Sequence, residues 1–225
     1  MNIKFLGHAT FYFESCEVKA LIDPFINNNP MSPIKTDDIK KLSHIFITHG
    51  HNDHIGDAVE LALKHDALVI TNYEIASYLA SKGVKTHPMH IGGRYKFEFG
   101  TVKMTPALHG SAIHTEEGPI DGGNPGGFVI TIDNQTIYHA GDTGLTMDMQ
   151  LLADEHIDVA FLPIGGNFTM DIRDAVKATS FIKAKKVVPM HYDTFGLIKA
   201  NPLDFEVKVE DSEVIIMKPG DVLKI

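Results

Sequence analysis

The chain has 225 residues, 44% of them hydrophobic and 22% charged, with a formal net charge of -9. That composition suits one large globular domain over 1–225, and its negative field disfavours nucleic acid as a partner. A single cysteine, Cys16, excludes an intramolecular disulfide and any zinc site built from several thiolates of one chain, so a metal would have to rely on His, Asp and Glu.

No apolar run approaches transmembrane length, and the first residues are too poor in apolar side chains for a signal peptide. The expectation is a cytoplasmic protein without membrane insertion. Residues 3 to 6, 10 to 14 and 18 to 22 read as an antiparallel opening meander, the first strand leading into Gly7-His8-Ala9 and the third into Asp23-Pro24-Phe25. Residues 26 to 34 read as a loop, and Thr36-Asp37-Asp38 caps a short helix before a strand at 44 to 48. Helical periodicity follows over 55 to 64, then a buried strand at 67 to 70, a helix capped by Asn72 that stops at Gly83, and a short strand at 84 to 87.

An alternating hairpin spans 95 to 104 with Gly100 at its turn, and its second arm ends in Pro106-Ala107-Leu108-His109. Residues 110 to 126 hold seven glycines or prolines and read as a flexible loop. A second hairpin at 127 to 132 and 135 to 139 runs into Ala140-Gly141-Asp142-Thr143-Gly144. Helices at 147 to 155 and 171 to 183 flank a strand at 158 to 162. A strand at 186 to 190 delivers His191, and a helix near 202 to 209 precedes terminal strands at 213 to 217 and 222 to 225. Hairpins interleaved with strand-helix units, and no linker between them, imply a single domain of sheets covered by helices.

The stretch Thr48-His49-Gly50-His51-Asn52-Asp53-His54 packs three imidazoles and a carboxylate into one turn between a strand and a helix. Alternate side chains of extended backbone share a side, so His49 and His51 can grip one ion, while Asp53 and His54, where the helix begins, face a second point. Apolar strands also end in a ligand type at His109, Asp142 and His191, each with Gly, Pro or Thr nearby to turn the backbone. If those strands lie side by side, their ends share one edge. The grouping that follows is His49, His51 and His109 around one ion, Asp53, His54 and His191 around a second, and Asp142 as a bridge. Two divalent metal ions per chain are therefore expected, zinc first, with manganese and iron also suited to these ligands.

These residues resemble the metallo-β-lactamase superfamily: 48 to 54 matches its HxHxDH signature, and His109, Gly141-Asp142-Thr143 and His191 follow in that family's order. Leu6-Gly7-His8-Ala9, Ile22-Asp23-Pro24-Phe25, His139-Ala140-Gly141-Asp142-Thr143, Pro163-Ile164-Gly165-Gly166 and Met190-His191-Tyr192 look like its small single-domain branch of predicted metal-dependent hydrolases, akin to L-ascorbate-6-phosphate lactonase and more distantly to N-acyl-phosphatidylethanolamine phospholipase D enzymes. The resemblance implies an α+β, four-layer αββα sandwich with a dinuclear site at the edge between its sheets. The expected activity is hydrolysis of a small-molecule ester, lactone or phosphodiester by water activated between two ions, with Asp53 orienting that water. A non-catalytic metal-binding protein and a di-iron redox protein on the same scaffold are the rival readings.

Around this set, Asp23 is a candidate acceptor for the free ring nitrogen of a ligand histidine, or a turn residue before Pro24. His8 is read as a pocket-lining or core residue and His139 as a core residue or a support behind the ligands. His114 and Asn124 are candidate substrate contacts on the glycine-rich loop, and Tyr192 is a candidate oxyanion donor with packing as its simpler role. A homo-oligomer in which a neighbouring subunit helps to close the pocket completes the list of expected partners.

Overall fold

The computed structural model describes residues 1–16 and 18–225. The first half of the chain supplies β1 (Asn2–Phe5), β2 (Phe11–Glu14), β3 (Lys19–Ile22), β4 (His44–Phe46), α1 (Asn52–Ile55), α2 (Ala58–His65), β5 (Leu68–Asn72), α3 (Tyr73–Ser81) and β6 (Thr86–Met89). The second supplies β7 (Arg94–Phe97), β8 (Gly100–Pro106), a small hairpin of β9 (Ile113–Thr115) and β10 (Gly118–Ile120), β11 (Gly126–Ile132), β12 (Gln135–His139), β13 (Val159–Pro163), α4 (Ile172–Ile182), β14 (Lys186–Met190), α5 (Pro202–Glu206), β15 (Glu213–Val214) and β16 (Val222–Lys224).

The strands form two mixed sheets, ordered β16-β1-β2-β3-β4-β5-β6 and β15-β14-β13-β12-β11-β8-β7. Each begins as an antiparallel meander and continues in parallel, from β3 through β6 in one sheet and from β12 through β15 in the other. Because β1 and β3 both oppose β2, and β8 and β12 both oppose β11, the strands β1, β3 and β4 run the same way, as do β8, β12 and β14. Their carboxyl ends therefore fall on shared edges.

Strand alternation sorts the side chains into layers. Phe11, Phe13, Phe46, Phe128, Ile130 and Phe161 meet in the core between the sheets. Leu21, Ile45 and Ile47 face Leu61 of α2 and Ile75 and Leu79 of α3, while Val129, Tyr138 and Leu162 face Ala175, Ala178 and Ile182 of α4. The result is the α+β, four-layer αββα sandwich. The outer helices begin where side chains satisfy their first backbone N–H groups: Asn72 accepts from Ile75 N at 2.8 Å and Asp171 from Asp174 N at 2.9 Å.

Several element readings change. The helix expected from 55 is broken at Gly56 (φ 38), where an added Cβ would strike the Pro24 carbonyl, so α1 is a separate single turn carrying Asp53 and His54. Met147–Glu155 is a 3₁₀ helix, and its buried Met149 and Leu152 are three apart, the period of that helix. The short helix at 36 is likewise 3₁₀, and the 110 to 126 segment folds part of itself into the β9–β10 hairpin. Among the described residues no helix is long and apolar enough to cross a membrane.

Phe161 is fully buried and its ring lies 4.2 Å from that of Phe11 across the two sheets. Phe161→Ala is expected to cost about 3–5 kcal/mol in urea unfolding through the cavity it leaves. Leu203→Ala, at a side chain 56% exposed, should stay within about 0.5 kcal/mol of the parent protein.

Candidate metal centre

The site is built from its buried carboxylate outward. Asp23, at the end of β3, is fully buried and accepts from Thr48 N (2.8 Å), Thr48 Oγ1 (2.7 Å) and His54 Nδ1 (2.7 Å). The Thr48 hydroxyl has thus spent its hydrogen on Asp23, so at 3.0 Å it accepts from His49 Nδ1. One carboxylate therefore fixes both rings in the tautomer that turns Nε2 toward the site, directly for His54 and through Thr48 for His49.

Asp142, beyond the end of β12, stands opposite. Its Oδ1 is 3.3 Å from His54 Nε2, and its Oδ2 is 2.9 Å from His191 Nε2, 3.5 Å from His109 Nε2 and 4.0 Å from His49 Nε2. Gly141 (φ 62) makes this turn possible, since a Cβ there would lie 2.9 Å from Thr48 Cβ.

The potential ligand atoms gather into overlapping sets within 4.8 Å: His49, His51 and His109; His8, Asp53, His54 and His191; and His49, His54 and Asp142 between them. All seven candidate ligands thus come together, with His8 as a further member of the second set. His8 Nε2 lies 3.2 Å from Asp53 Oδ2 and its Nδ1 lies 2.9 Å from Thr194 Oγ1. An ionised Asp53 can only accept, so Nε2 carries the hydrogen and Nδ1 accepts from Thr194.

The donor set fits divalent metal. His54 Nε2, Asp142 Oδ1 and both ring nitrogens of His191 are buried without an aligned hydrogen-bond partner, although buried polar atoms are normally satisfied. Imidazole and carboxylate are the ligand chemistry of zinc, manganese and iron. The charges agree. Burial acts to raise the Asp142 carboxyl, but His191 and His54 outweigh it and hold Asp142 well below the carboxylate range. Burial also acts to raise Asp53, and the His8 hydrogen bond with the nearby histidines holds it low as well. Burial lowers His49, reinforced by His54, whereas Asp142 and Asp23 overcome burial at His54 and raise it well above 6.5.

A cavity of about 210 Å³ opens on the set, lined by His51, Asp53, His109, Asp142 and His191 and by two aromatic side chains, Phe168 and Phe195. A larger concavity of about 630 Å³ along α4 contains no histidine, so chemistry and not size singles out the smaller one.

The remaining candidates separate. His139 is buried behind the site, its Nε2 donating to Ala9 O at 2.9 Å and its Nδ1 accepting from Gly141 N at 3.2 Å, which ties the two sheets at their shared edge. Tyr192 packs with the α4-side core and does not line the cavity. His114 is exposed on β9 in a groove with Tyr78 and Lys82, and Asn124 lies beside Asn72 and His90; neither reaches the cavity. Their loop is turned away because Asn72 Nδ2 holds the carbonyls of Gly122 and Asn124, and Ser111 Oγ accepts from Gly50 N and donates to Gly122 O. The loop buttresses the motif turn instead of lining the cavity.

Thr48, Thr194, Phe168 and Phe195 have no role in the sequence reading. The available signal for Phe195 was an aromatic residue in a Thr-Phe-Gly turn four residues after His191.

The family model described as Beta-lactamase superfamily domain matches residues 19–192. A UPF0173 metal-dependent hydrolase of Alkaliphilus metalliredigens is 59% identical over 222 residues, covering 99% of each chain. This chain belongs to the UPF0173 metal-dependent hydrolases of the beta-lactamase superfamily. A UPF0173 relative in Staphylococcus carnosus is 48% identical over 229 residues, spanning 100% of this chain and 99% of its own. Igni18, a metallo hydrolase from the archaeon Ignicoccus hospitalis, superposes with a TM-score of 0.90 at 38% identity over 99% of this chain and 97% of its own. The UPF0173 chain thus shares both sequence and fold with metal-dependent hydrolases along its whole length.

Burial and the neighbouring His191 push His8 of this hydrolase from 6.5 down to about 4. The unfolded chain therefore takes up a proton that the folded one refuses, and stability present above pH 6.5 is lost as pH falls toward 4. Urea midpoints of metal-free protein should drop across that window, with His8 contributing on the order of 3 kcal/mol, and His8→Gln should flatten the slope.

Proposed function

We propose that this enzyme hydrolyses a small ester, lactone or phosphodiester at a dinuclear metal centre, with zinc as the leading metal and manganese or iron as alternatives. The observation that carries the reading is the buried Asp142 carboxylate, which reaches histidines of both groups: His54 and His191 of one, at 3.3 and 2.9 Å, and His109 and His49 of the other, at 3.5 and 4.0 Å. In this reading His49, His51 and His109 would hold one ion and Asp53, His54 and His191 the other, with Asp142 available to both.

Divalent ions held there would act as Lewis acids that polarise the scissile carbonyl or phosphoryl oxygen and acidify water at neutral pH. The chain's own part is positional. Asp53 lines the cavity with Oδ2 fixed by His8. Its depressed pKa keeps it an acceptor that orients water toward the substrate. Asp23 and Thr48 hold His54 and His49 in their ligating tautomers, and His139 keeps the Gly141 turn, and with it Asp142, in register.

Metal analysis of protein purified without chelators should find about two transition-metal ions per chain, falling to one or fewer in Asp142→Ala. Asp53→Ala should lower kcat by roughly 10²–10⁴-fold. Normal turnover in that variant at full metal occupancy would remove the role given to Asp53.

A further inference from the structure

The cavity walls carry information about the substrate that the ligand set does not. Apart from the candidate ligands, the lining consists of Phe168 and Phe195. No lysine or arginine lines the cavity among the described residues, and neither does any serine, threonine, tyrosine or amide side chain. Both aromatics are exposed, 52% for Phe168 and 40% for Phe195. Large exposed aromatics at a cavity mouth mark a surface that covers an apolar group when occupied.

Phe195 sits on the segment that delivers His191, and the turn carrying Phe168 is tied beside Asp142 by the bond from Met170 N to Thr143 O at 2.9 Å. Phe168 follows Asn167 (φ 51) in the turn after β13, and Phe195 follows His191 and Thr194. The Phe195 ring leans on buried His8 at 5.5 Å and on Phe25 at 6.4 Å, so its position is fixed from behind. Leu108, adjacent to His109, and Leu197, two residues beyond Phe195, are 65% and 68% exposed. The segments carrying site residues are thus apolar on their outer sides as well.

Resting on the hydrolase reading above, we infer that the substrate is an uncharged ester or lactone whose apolar acyl group is held between Phe168 and Phe195, and that these two residues set specificity. A phosphate or carboxylate beside the aromatic pair would meet no cationic side chain, whereas an apolar group would meet two rings. The volume, about 210 Å³, is below that of drug-sized sites and selects a small molecule. The reaction balances without a co-reactant: the oxygen of water bonds to the acyl carbon, the acyl C–O bond breaks, and one proton of the water passes to the leaving oxygen. The products are a carboxylic acid and an alcohol, joined in one molecule when a lactone opens.

The test uses zinc-loaded enzyme and p-nitrophenyl acetate, butanoate and hexanoate, with the p-nitrophenyl monoester of butanedioic acid and bis(p-nitrophenyl) phosphate as charged arms. kcat/KM should rise roughly two- to fourfold per methylene, mostly through KM. The anionic ester should fall at least tenfold below butanoate. Phe168→Ala and Phe195→Ala should each reduce the hexanoate-to-acetate ratio at least threefold. Calorimetric binding of the matching ketones, which have no leaving group, should show the same chain dependence in the parent protein. Chain-independent kinetics and ketone binding, or a preference for the charged arms, would overturn the inference while leaving a hydrolase. No turnover of any arm by metal-loaded protein would overturn the hydrolase reading itself, and the ketone series would still decide whether the aromatic pair binds apolar groups.

Discussion

The site depends on Asp23. A carboxylate with no solvent exposure must have its oxygens satisfied, and the three donors that satisfy them, Thr48 N, Thr48 Oγ1 and His54 Nδ1, belong to the candidate metal centre. The same bonds that keep a buried charge tolerable fix the rings of His54 and, through Thr48, of His49. Loss of Asp23 would free two candidate ligands at once and leave the Thr48 amide unpaired. A residue 25 positions before Thr48 therefore sets how the rings of the motif are held.

The two sheets supply the rest of the geometry. Each half of the chain forms an antiparallel meander that turns parallel, so the carboxyl ends of β1, β3 and β4 meet those of β8, β12 and β14 at one edge of the sandwich. Three hydrogen bonds stitch that edge: His139 Nε2 to Ala9 O, His191 N to His8 O and Gly126 N to Thr48 O. His8, Asp23 and His191 all have left-handed backbone (φ 60, 47 and 55), a conformation costly for residues other than glycine. Other residues share this conformation at helix ends and turns, such as Asp66 and Lys183; at these three the sheet ends and their hydrogen bonds hold the backbone in place.

Much of this is legible in the chain because the information is local. His49, His51, Asp53 and His54 lie within six residues, and each later ligand follows an apolar run that announces a strand end. The fold follows from alternation in strands such as β2 and from caps such as Asn72 and Asp171. What sequence could not supply was direction at a distance. His114 and Asn124 have the right chemistry on a suggestive loop, yet Ser111 and Asn72, far from them in role, pin that loop against Gly50 and α3 and turn both away. His8 and Thr194 are 186 positions apart, so no local pattern reports their contact. Phe168 and Phe195 look like ordinary loop residues until the cavity gives them a common address.

In the proposed function, one buried carboxylate, Asp142, sits between two metal positions. The most direct measurement is anomalous X-ray diffraction from crystals of metal-loaded protein, collected on both sides of the metal's absorption edge. Two peaks roughly 3.5–4 Å apart are expected on either side of Asp142, one within reach of His49, His51 and His109 and the other within reach of Asp53, His54 and His191. A single peak at full loading, or metal bound away from Asp142, would contradict a dinuclear centre built on that carboxylate.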